Sequence, residues 1–391
     1  MSGSDDPVRD ALAPWLDRAV RDGCGLLLAV SGGPDSTSLM HATAHLAAHL
    51  RAGRGAPAVQ VATVDHGLRP ESRAEAEAVG RAARALGLPH AILAWAGPKP
   101  GTGLQAAARA ARYGLLTAEA RRVGAGLVLT GHTRDDQAET VLMRLAAGSG
   151  PAGLAGMRAA RALAPGIGLG RPFLTLPKSA LVAWCEARGI PYLRDPGNAD
   201  PRFARGRLRA AWPILEREGL TPARLARLAA RAARDGAALR IAAAQALDAV
   251  RLPETEGRIR LDGTALAALP EAVALRCVDL ALTRAGAAPR RLERLEALVL
   301  ESLLPALRGR SAIRRTLAGI LVSTDGAATL CLAPAPPRRR AADRAPDAAL
   351  AAGAPELLGK GEPPAYIGGV CTDGPELPRD ASVLGVAHAK D

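Results

Sequence analysis

The sequence predicts an α/β fold in which a doubly wound, mainly parallel sheet is followed by a second, mostly helical domain. Three observations carry this. Four short apolar runs, 26–30, 57–64, 90–95 and 127–130, alternate with stretches of helical periodicity up to Met143. The first run ends in a glycine pair and restarts as a helix, the strand–turn–helix order of a ligand-binding parallel sheet. From about residue 216 the chain changes to long Ala/Arg/Leu segments.

Residues 8–22 read as an opening helix, with Val8, Leu12, Trp15, Leu16, Ala19 and Val20 near one face despite Pro14. The first run, Gly25-Leu-Leu-Leu-Ala-Val-Ser-Gly-Gly-Pro-Asp-Ser36, is continuous rather than alternating, which suits a strand covered on both faces. Gly32 and Gly33 let the backbone bring its N–H groups close to an anion. Asp35, Ser36 and Thr37 then open a helix through Leu39, Met40, Leu46 and Leu50, whose N-terminus carries about half a unit of positive charge. The turn has neither the Gly-Lys-Ser/Thr of a P-loop nor Gly-x-Gly-x-x-Gly. An ordinary strand-to-helix turn also favours Gly, Ser and Asp, so these residues alone leave both readings open. His41, His45 and His49 have a metal-ligand spacing, but they lie away from the Leu face with no further ligand, and a metal is not expected there.

The run 57–64 ends in Asp65-His66-Gly67-Leu68-Arg69, at the carboxyl end of a predicted strand, where ligands of such sheets bind. A helix over 71–86, a strand over 90–95, a loop from Gly97 to Gly103 and a helix over 105–123 follow. The last of these contains Ala108-Arg-Ala-Ala-Arg-Tyr113. The fourth strand leads into Gly131-His-Thr-Arg-Asp-Asp-Gln-Ala-Glu-Thr-Val-Leu-Met143. Thr133 can cap a helix there, with His132 just ahead and Asp135, Asp136 and Glu139 in its first turns. Acids at a helix start suit its dipole, but their recurrence with His at a strand end of the same sheet points to a site.

Beyond 216, helices are expected over 222–250, 271–285 and 289–304, and a hairpin about Asp325-Gly326 within 315–332. Arg224, Arg227, Arg231, Arg234 and Arg240 recur on one flank, equally readable as a solvated face or an RNA-facing stripe. The resulting division is 1–215, an α/β domain; 216–332, mostly helical; and 333–391, a Pro/Ala/Gly-rich tail expected to be disordered, with Arg338–Arg340 at its start.

A net charge of +13 favours a polyanionic partner, although 4 lysines against 47 arginines also fits GC-rich coding. With 9 aromatics, recognition leans on Arg rather than stacking. The five dispersed cysteines form no Cys-x-x-Cys pair and suit a reducing cytoplasm. No secretory leader or apolar span is visible, so a cytoplasmic location without membrane association is expected. Oligomeric state stays open.

Four motifs in order, Ser-Gly-Gly-x-Asp-Ser, Val-Asp-His-Gly-Leu-Arg, Ala-Arg-x-x-Arg-Tyr and Gly-His-x-x-Asp-Asp-Gln-x-Glu-Thr, resemble those of the tRNA(Ile)-lysidine synthase family, within the Rossmann-like N-type (PP-loop) ATP pyrophosphatases. The similarity runs strongly from about 24 to 215, through Gly148–Met157, Arg171–Leu174 and Tyr192–Arg209. It implies ligation of free lysine to C2 of the wobble cytidine of CAU-anticodon tRNA(Ile), with ATP and Mg²⁺, through an adenylated tRNA. The product reads AUA.

By the same resemblance Ser31, Gly32, Gly33, Pro34, Asp35 and Ser36 hold pyrophosphate, with Asp35 as a magnesium ligand, and Asp65, His66, Gly67 and Arg112 lie near adenosine and phosphates. Asp135, Asp136 and Glu139 receive lysine, and Arg205, Arg207 and Arg209 contact tRNA. Asp35, His132, Asp136 and Glu139 are the catalytic candidates, with the base for lysine left open between His132 and the acids. The glycine-dense segment 148–156 reads equally as a flap or a connector. Two positions depart from the family pattern: Gly197, where Ser is usual, and Gly206, where Asn is usual. A tRNA thiolase, an amidotransferase-type ligase and a non-catalytic RNA-binding protein are the competing readings. The first lacks motif cysteines here, the second a glutaminase domain, and the third would release no pyrophosphate.

Overall fold

The computed structural model describes residues 6–51, 55–193, 204–255, 257–326 and 328–336. The departure at Gly197, most of the tail and Arg338–Arg340 lie outside them. Among the described residues no helix is long and apolar enough to cross a membrane. Two compact units divide at Ala233/Arg234.

The first unit runs α1 (Pro7–Arg21), β1 (Gly25–Ala29), α2 (Pro34–Arg51), β2 (Val59–Asp65), α3 (Ser72–Ala85), β3 (His90–Ala94), α4 (Leu104–Arg122), β4 (Ala125–Thr130), α5 (Arg134–Ala146), α6 (Pro151–Leu154), β5 (Ala160–Ala164), β6 (Ile167–Gly170), α7 (Lys178–Glu186) and α8 (Ala204–Arg217). The sheet order is β3-β2-β1-β4-β6-β5, parallel except for the edge strand β5. The continuous apolar run of β1 divides by side-chain alternation. Leu26 and Leu28 pack with α1, α2 and α7, whereas Leu27 and Ala29 pack with Leu116 and Ala120 of α4. Each leucine is buried on its own face, worth about 1.5–3 kcal/mol relative to exposure. Both faces are therefore covered, as the unbroken run demands.

Strand order reverses between β1 and β4, so a crevice opens where the turn after β1 and the segment after β4 emerge side by side. Helix α7, not assigned from sequence, closes against α2: Ser38 Oγ donates to Leu181 O at 3.2 Å and meets Cys185 Sγ at 3.1 Å. Asp6 caps α1 and also accepts from Trp184 Nε1 and Arg188, tying the amino end to α7.

Helix α9 (Pro222–Val250) crosses the division between units. The unit boundary thus falls later than the expected 215/216. Leu225 and Ala229 of α9 cluster with Ala138, Val141 and Leu142 of α5, which keeps the first half of α9 with the first unit.

The second unit holds β7 (Arg251–Thr255), β8 (Arg258–Asp262), α10 (Gly263–Ala268), α11 (Glu271–Arg284), α12 (Leu292–Glu296), a π-helical turn (Ala297–Leu303), α13 (Leu304–Arg308), β9 (Ala312–Leu317), β10 (Ile320–Asp325) and β11 (Thr329–Pro334). Its helices pack on an antiparallel sheet, β7-β8-β11-β10-β9. The hairpin about Asp325-Gly326 is β10–β11. The other three strands were not expected, because arginines interrupt their apolar alternation. Asp262 caps α10, its side chain accepting from Thr264 N and Ala265 N. The tail boundary of 333 falls inside β11, whose Pro334 still pairs with Ile320.

Candidate active site

At the crevice lies a cleft of about 680 Å³. Its lining includes Ser31, Gly33, Pro34, Asp35 and Ser36 from the first turn, His66 and Arg69 beyond β2, Arg112 of α4, Gly131, His132 and Asp136 beyond β4, Lys178 of α7, Tyr192 and Leu193, and Arg205 and Arg209 of α8. Of the expected residues, Gly32, Asp65, Gly67, Asp135, Glu139 and Arg207 do not line it.

The turn is shaped by its own hydroxyls. Ser36 Oγ donates to Gly33 O at 3.1 Å and accepts from Ser31 N at 3.1 Å, and Thr37 Oγ1 donates to Gly32 O at 3.0 Å. Gly32 has φ +90°, and a Cβ there would stand 2.5 Å from Leu193 Cδ1, so only glycine permits this path. Asp35 enters the first turn of α2 with Oδ1 buried and unpartnered and Oδ2 3.2 Å from Lys178 Nζ. Burial pushes its carboxyl up to about 6, against the pull of Lys178 and with a push from Asp136.

The second motif builds a capping box. Thr133 N and Oγ1 donate to Asp136 Oδ2 at 2.8 and 2.9 Å, and Asp136 N returns a 3.4 Å bond to Thr133 Oγ1. Asp135 Oδ2 accepts from Lys178 N at 2.8 Å, so one acid of α5 holds the start of α7. Glu139, 5 % exposed, is gripped by Arg209 at 2.5 Å (Nε–Oε1) and 3.2 Å (Nη2–Oε2), with Arg205 at 3.8 Å. The three acids are therefore engaged differently, and only Asp136 faces the cleft.

His132 Nδ1 meets Thr130 Oγ1 at 2.8 Å, and that hydroxyl also donates to Gly170 O at 3.3 Å. A carbonyl only accepts, so with both bonds formed Thr130 spends its proton on Gly170 and His132 carries its own on Nδ1, leaving Nε2 with a lone pair. Burial, aided by Arg112, Arg171, Arg109 and Arg205, holds His132 well below its ordinary value, hence neutral. His66 is likewise lowered by burial and then Arg112, and stands edge-on to Trp95 at 6.0 Å. Asp65 makes a local turn, accepting from Gly67 N at 2.9 Å.

Arg205 and Arg209, one helical turn apart, share the Glu139 face of α8, whereas Arg207 is exposed elsewhere on that helix. Gly206 is buried between them. The segment 148–156 is tied to α5, since Arg144 Nη1 donates to Gly153 O and Gly156 O at 2.7 and 2.8 Å and Gln137 clasps Met157 on both sides. Sequence reasoning missed Lys178 and Arg69. Lys178 sits in an unassigned helix, and its partner Asp35 is far from it in sequence. Arg69 pairs with Glu75 at 2.8 Å on the cleft rim.

Residues 10–214 match the PP-loop domain family ATP_bind_3, a span containing every cleft residue named above. A tRNA(Ile)-lysidine synthase of Methylobacterium sp. (strain 4-46) is 56 % identical over 339 residues, 86 % of this chain and 96 % of that protein. The chain belongs to the tRNA(Ile)-lysidine synthase family. The synthase of Rhodopseudomonas palustris (strain ATCC BAA-98 / CGA009) is 47 % identical over 350 residues, 87 % of this chain and 99 % of the relative. Membership makes the chain an ATP-dependent ligase with a PP-loop domain, and the hydroxyl-braced turn Ser31–Ser36 is the element of that domain suited to phosphate.

Proposed function

We propose that this chain joins the ε-amine of free lysine to C2 of the wobble cytidine in CAU-anticodon tRNA(Ile), spending ATP as AMP and pyrophosphate and giving lysidine. The observation that carries the reading is the juxtaposition, across one cleft, of a phosphate turn with a neutral histidine and one open carboxylate.

In the first step the C2 oxygen attacks the α-phosphorus and pyrophosphate leaves. The Ser31–Ser36 turn and the α2 N-terminus receive the charge that grows on the leaving group. Asp35, whose Oδ1 is buried and unpartnered, would hold a magnesium ion, and few carboxylates are needed for such a site. When bound, the ion would neutralise phosphate charge. Arg112, drawn below its ordinary value by burial, gains an anionic partner when the α-phosphate arrives.

In the second step lysine Nε attacks C2, the C2–O bond to AMP breaks, and the attacking amine loses a proton. Asp136 offers the open carboxylate for an ammonium group. His132 Nε2 is the unprotonated base for the departing proton. Glu139 acts through Arg209 and Arg205, holding both at the cleft wall.

The test is incubation with ATP, Mg²⁺, radiolabelled lysine and tRNA(Ile) bearing CAU. Lysine-dependent AMP release and labelled tRNA are expected. A folded preparation that leaves the tRNA unlabelled overturns the reading.

A further inference from the structure

The Ala-Arg-x-x-Arg-Tyr stretch places Arg109, Arg112 and Tyr113 at i, i+3 and i+4, on one face of α4. That face meets the antiparallel edge of the sheet, where β5 brings Arg161 and the residue after β6 is Arg171. Arg109 and Arg161 stand over the Tyr113 ring at 5.1 and 5.3 Å from its centroid. Arg171 is 2 % exposed and donates through Nη1 to Arg158 O at 2.5 Å, while its Nε is buried with no partner. Tyr113 Oη is also buried and faces the Arg171 side chain.

Among the described residues, none of Arg109, Arg112, Arg161 or Arg171 makes an ion pair with a carboxylate. A nearly buried guanidinium is ordinarily paired, because an isolated buried charge is expensive. Here further cations, Arg161 and Arg109, crowd it instead, with the Tyr113 hydroxyl at its side. Such a cluster is complete only with an anion whose oxygens take several donors at once, which describes a phosphate group.

We propose that Arg109, Tyr113, Arg161 and Arg171 form a subsite for a backbone phosphodiester of the RNA substrate, next to the nucleotide whose base enters the cleft. The inference rests on the RNA reading above and deepens it. Two features favour an RNA phosphate over the nucleotide's own. Arg161 lies on β5, three strand spacings or ~14 Å from β1, whose turn serves the nucleotide. Arg109 is exposed, so a polymer can reach the cluster from outside, while Arg112 and His132 connect it with the cleft.

The test uses the full chain with Arg109→Gln and Arg161→Gln combined, and separately Tyr113→Phe. Both leave Arg112, His132 and the phosphate turn intact. tRNA binding is followed by fluorescence anisotropy between about 50 and about 200 mM salt, and ATP binding by calorimetry. The double variant is expected to bind tRNA about tenfold more weakly, with its log–log salt slope reduced by roughly 0.7–0.9 for the lost phosphate contact. Tyr113→Phe is expected to lose about threefold, near the value of one hydrogen bond. ATP affinity and Tm stay at wild-type values.

Unchanged tRNA affinity and slope in the double variant would overturn the subsite. Loss of ATP affinity with tRNA binding retained would also overturn it, assigning the cluster to the nucleotide. Failure of the reading beneath it is separate: wild-type protein would then bind tRNA through this cluster yet never transfer lysine.

Discussion

Lys178 stands 3.2 Å from Asp35 Oδ2, and its own backbone N–H is fixed by Asp135 at 2.8 Å. The ammonium is the principal influence holding down a carboxyl that burial pushes up to about 6. Lys178→Gln removes that influence, so the Asp35 pKa rises further. With Asp35 acting as a carboxylate, as proposed, the acid limb of pyrophosphate release, expected near pH 6 in the wild type, moves to higher pH. A pH–rate profile of tRNA-dependent pyrophosphate release checks this; an unmoved limb refutes it.

The same residue makes a stability prediction. The Asp35 pKa is raised in the fold above its ordinary 3.8, so the folded state holds the extra proton between about 4 and 6. Its stabilising contribution is present below pH 4 and disappears as pH rises through 6. Asp35→Asn abolishes that dependence, of about 2–3 kcal/mol. The variant is therefore expected to gain stability relative to wild type between pH 4 and pH 7 while losing pyrophosphate release. Paired urea titrations at both pH values measure the difference.

Glu139 and Asp136 separate by experiment. Glu139→Gln weakens a buried charge pair with Arg209, whose side chain is one-third exposed, and about 1–3 kcal/mol of stability is expected to go. Its KM for lysine changes little, because the carboxylate does not line the cleft. Asp136→Asn keeps an oxygen for the capping box but removes the charge that an ammonium group needs, so KM for lysine rises about tenfold or more with modest change in Tm. Equal KM effects in both variants would refute the division.

Gly131 is the point where the two motifs touch. A Cβ there would stand 2.7 Å from Asp35 O and 3.0 Å from Ser36 N, both backbone atoms. Gly131→Ala must therefore push the phosphate turn away from β4. ATP affinity is expected to fall at least tenfold, with tRNA binding retained; calorimetry and anisotropy measure the two.

Asp135–Lys178 and Asp35–Lys178 also mark what sequence reading reaches. The turn after β1, the Thr133 cap and the acids of α5 are local features, set by residues within one helical turn, and they were legible. So was the two-faced burial of β1, written in its unbroken leucines. Helix α7 was not, because only its packing against Ser38 and its tie to Asp6 make it stand out. Strands β5 (Ala-Arg-Ala-Leu-Ala) and β6 (Ile-Gly-Leu-Gly) are five and four residues long, too short for periodicity to register. The grip of Arg209 on Glu139 joins α5 to α8 across 70 positions, and no spacing rule relates them.

The contact of Cys185 Sγ with Ser38 Oγ gives the phosphate turn a built-in clock. Cys185 is fully buried behind α2, and burial raises its thiol above the ordinary value, so an alkylating reagent meets it only when α7 parts from α2. The rate at which that one thiol is capped therefore counts openings of the wall behind Asp35. Nucleotide seated on the turn should slow the count, which reports occupancy of the ATP half of the cleft without any turnover.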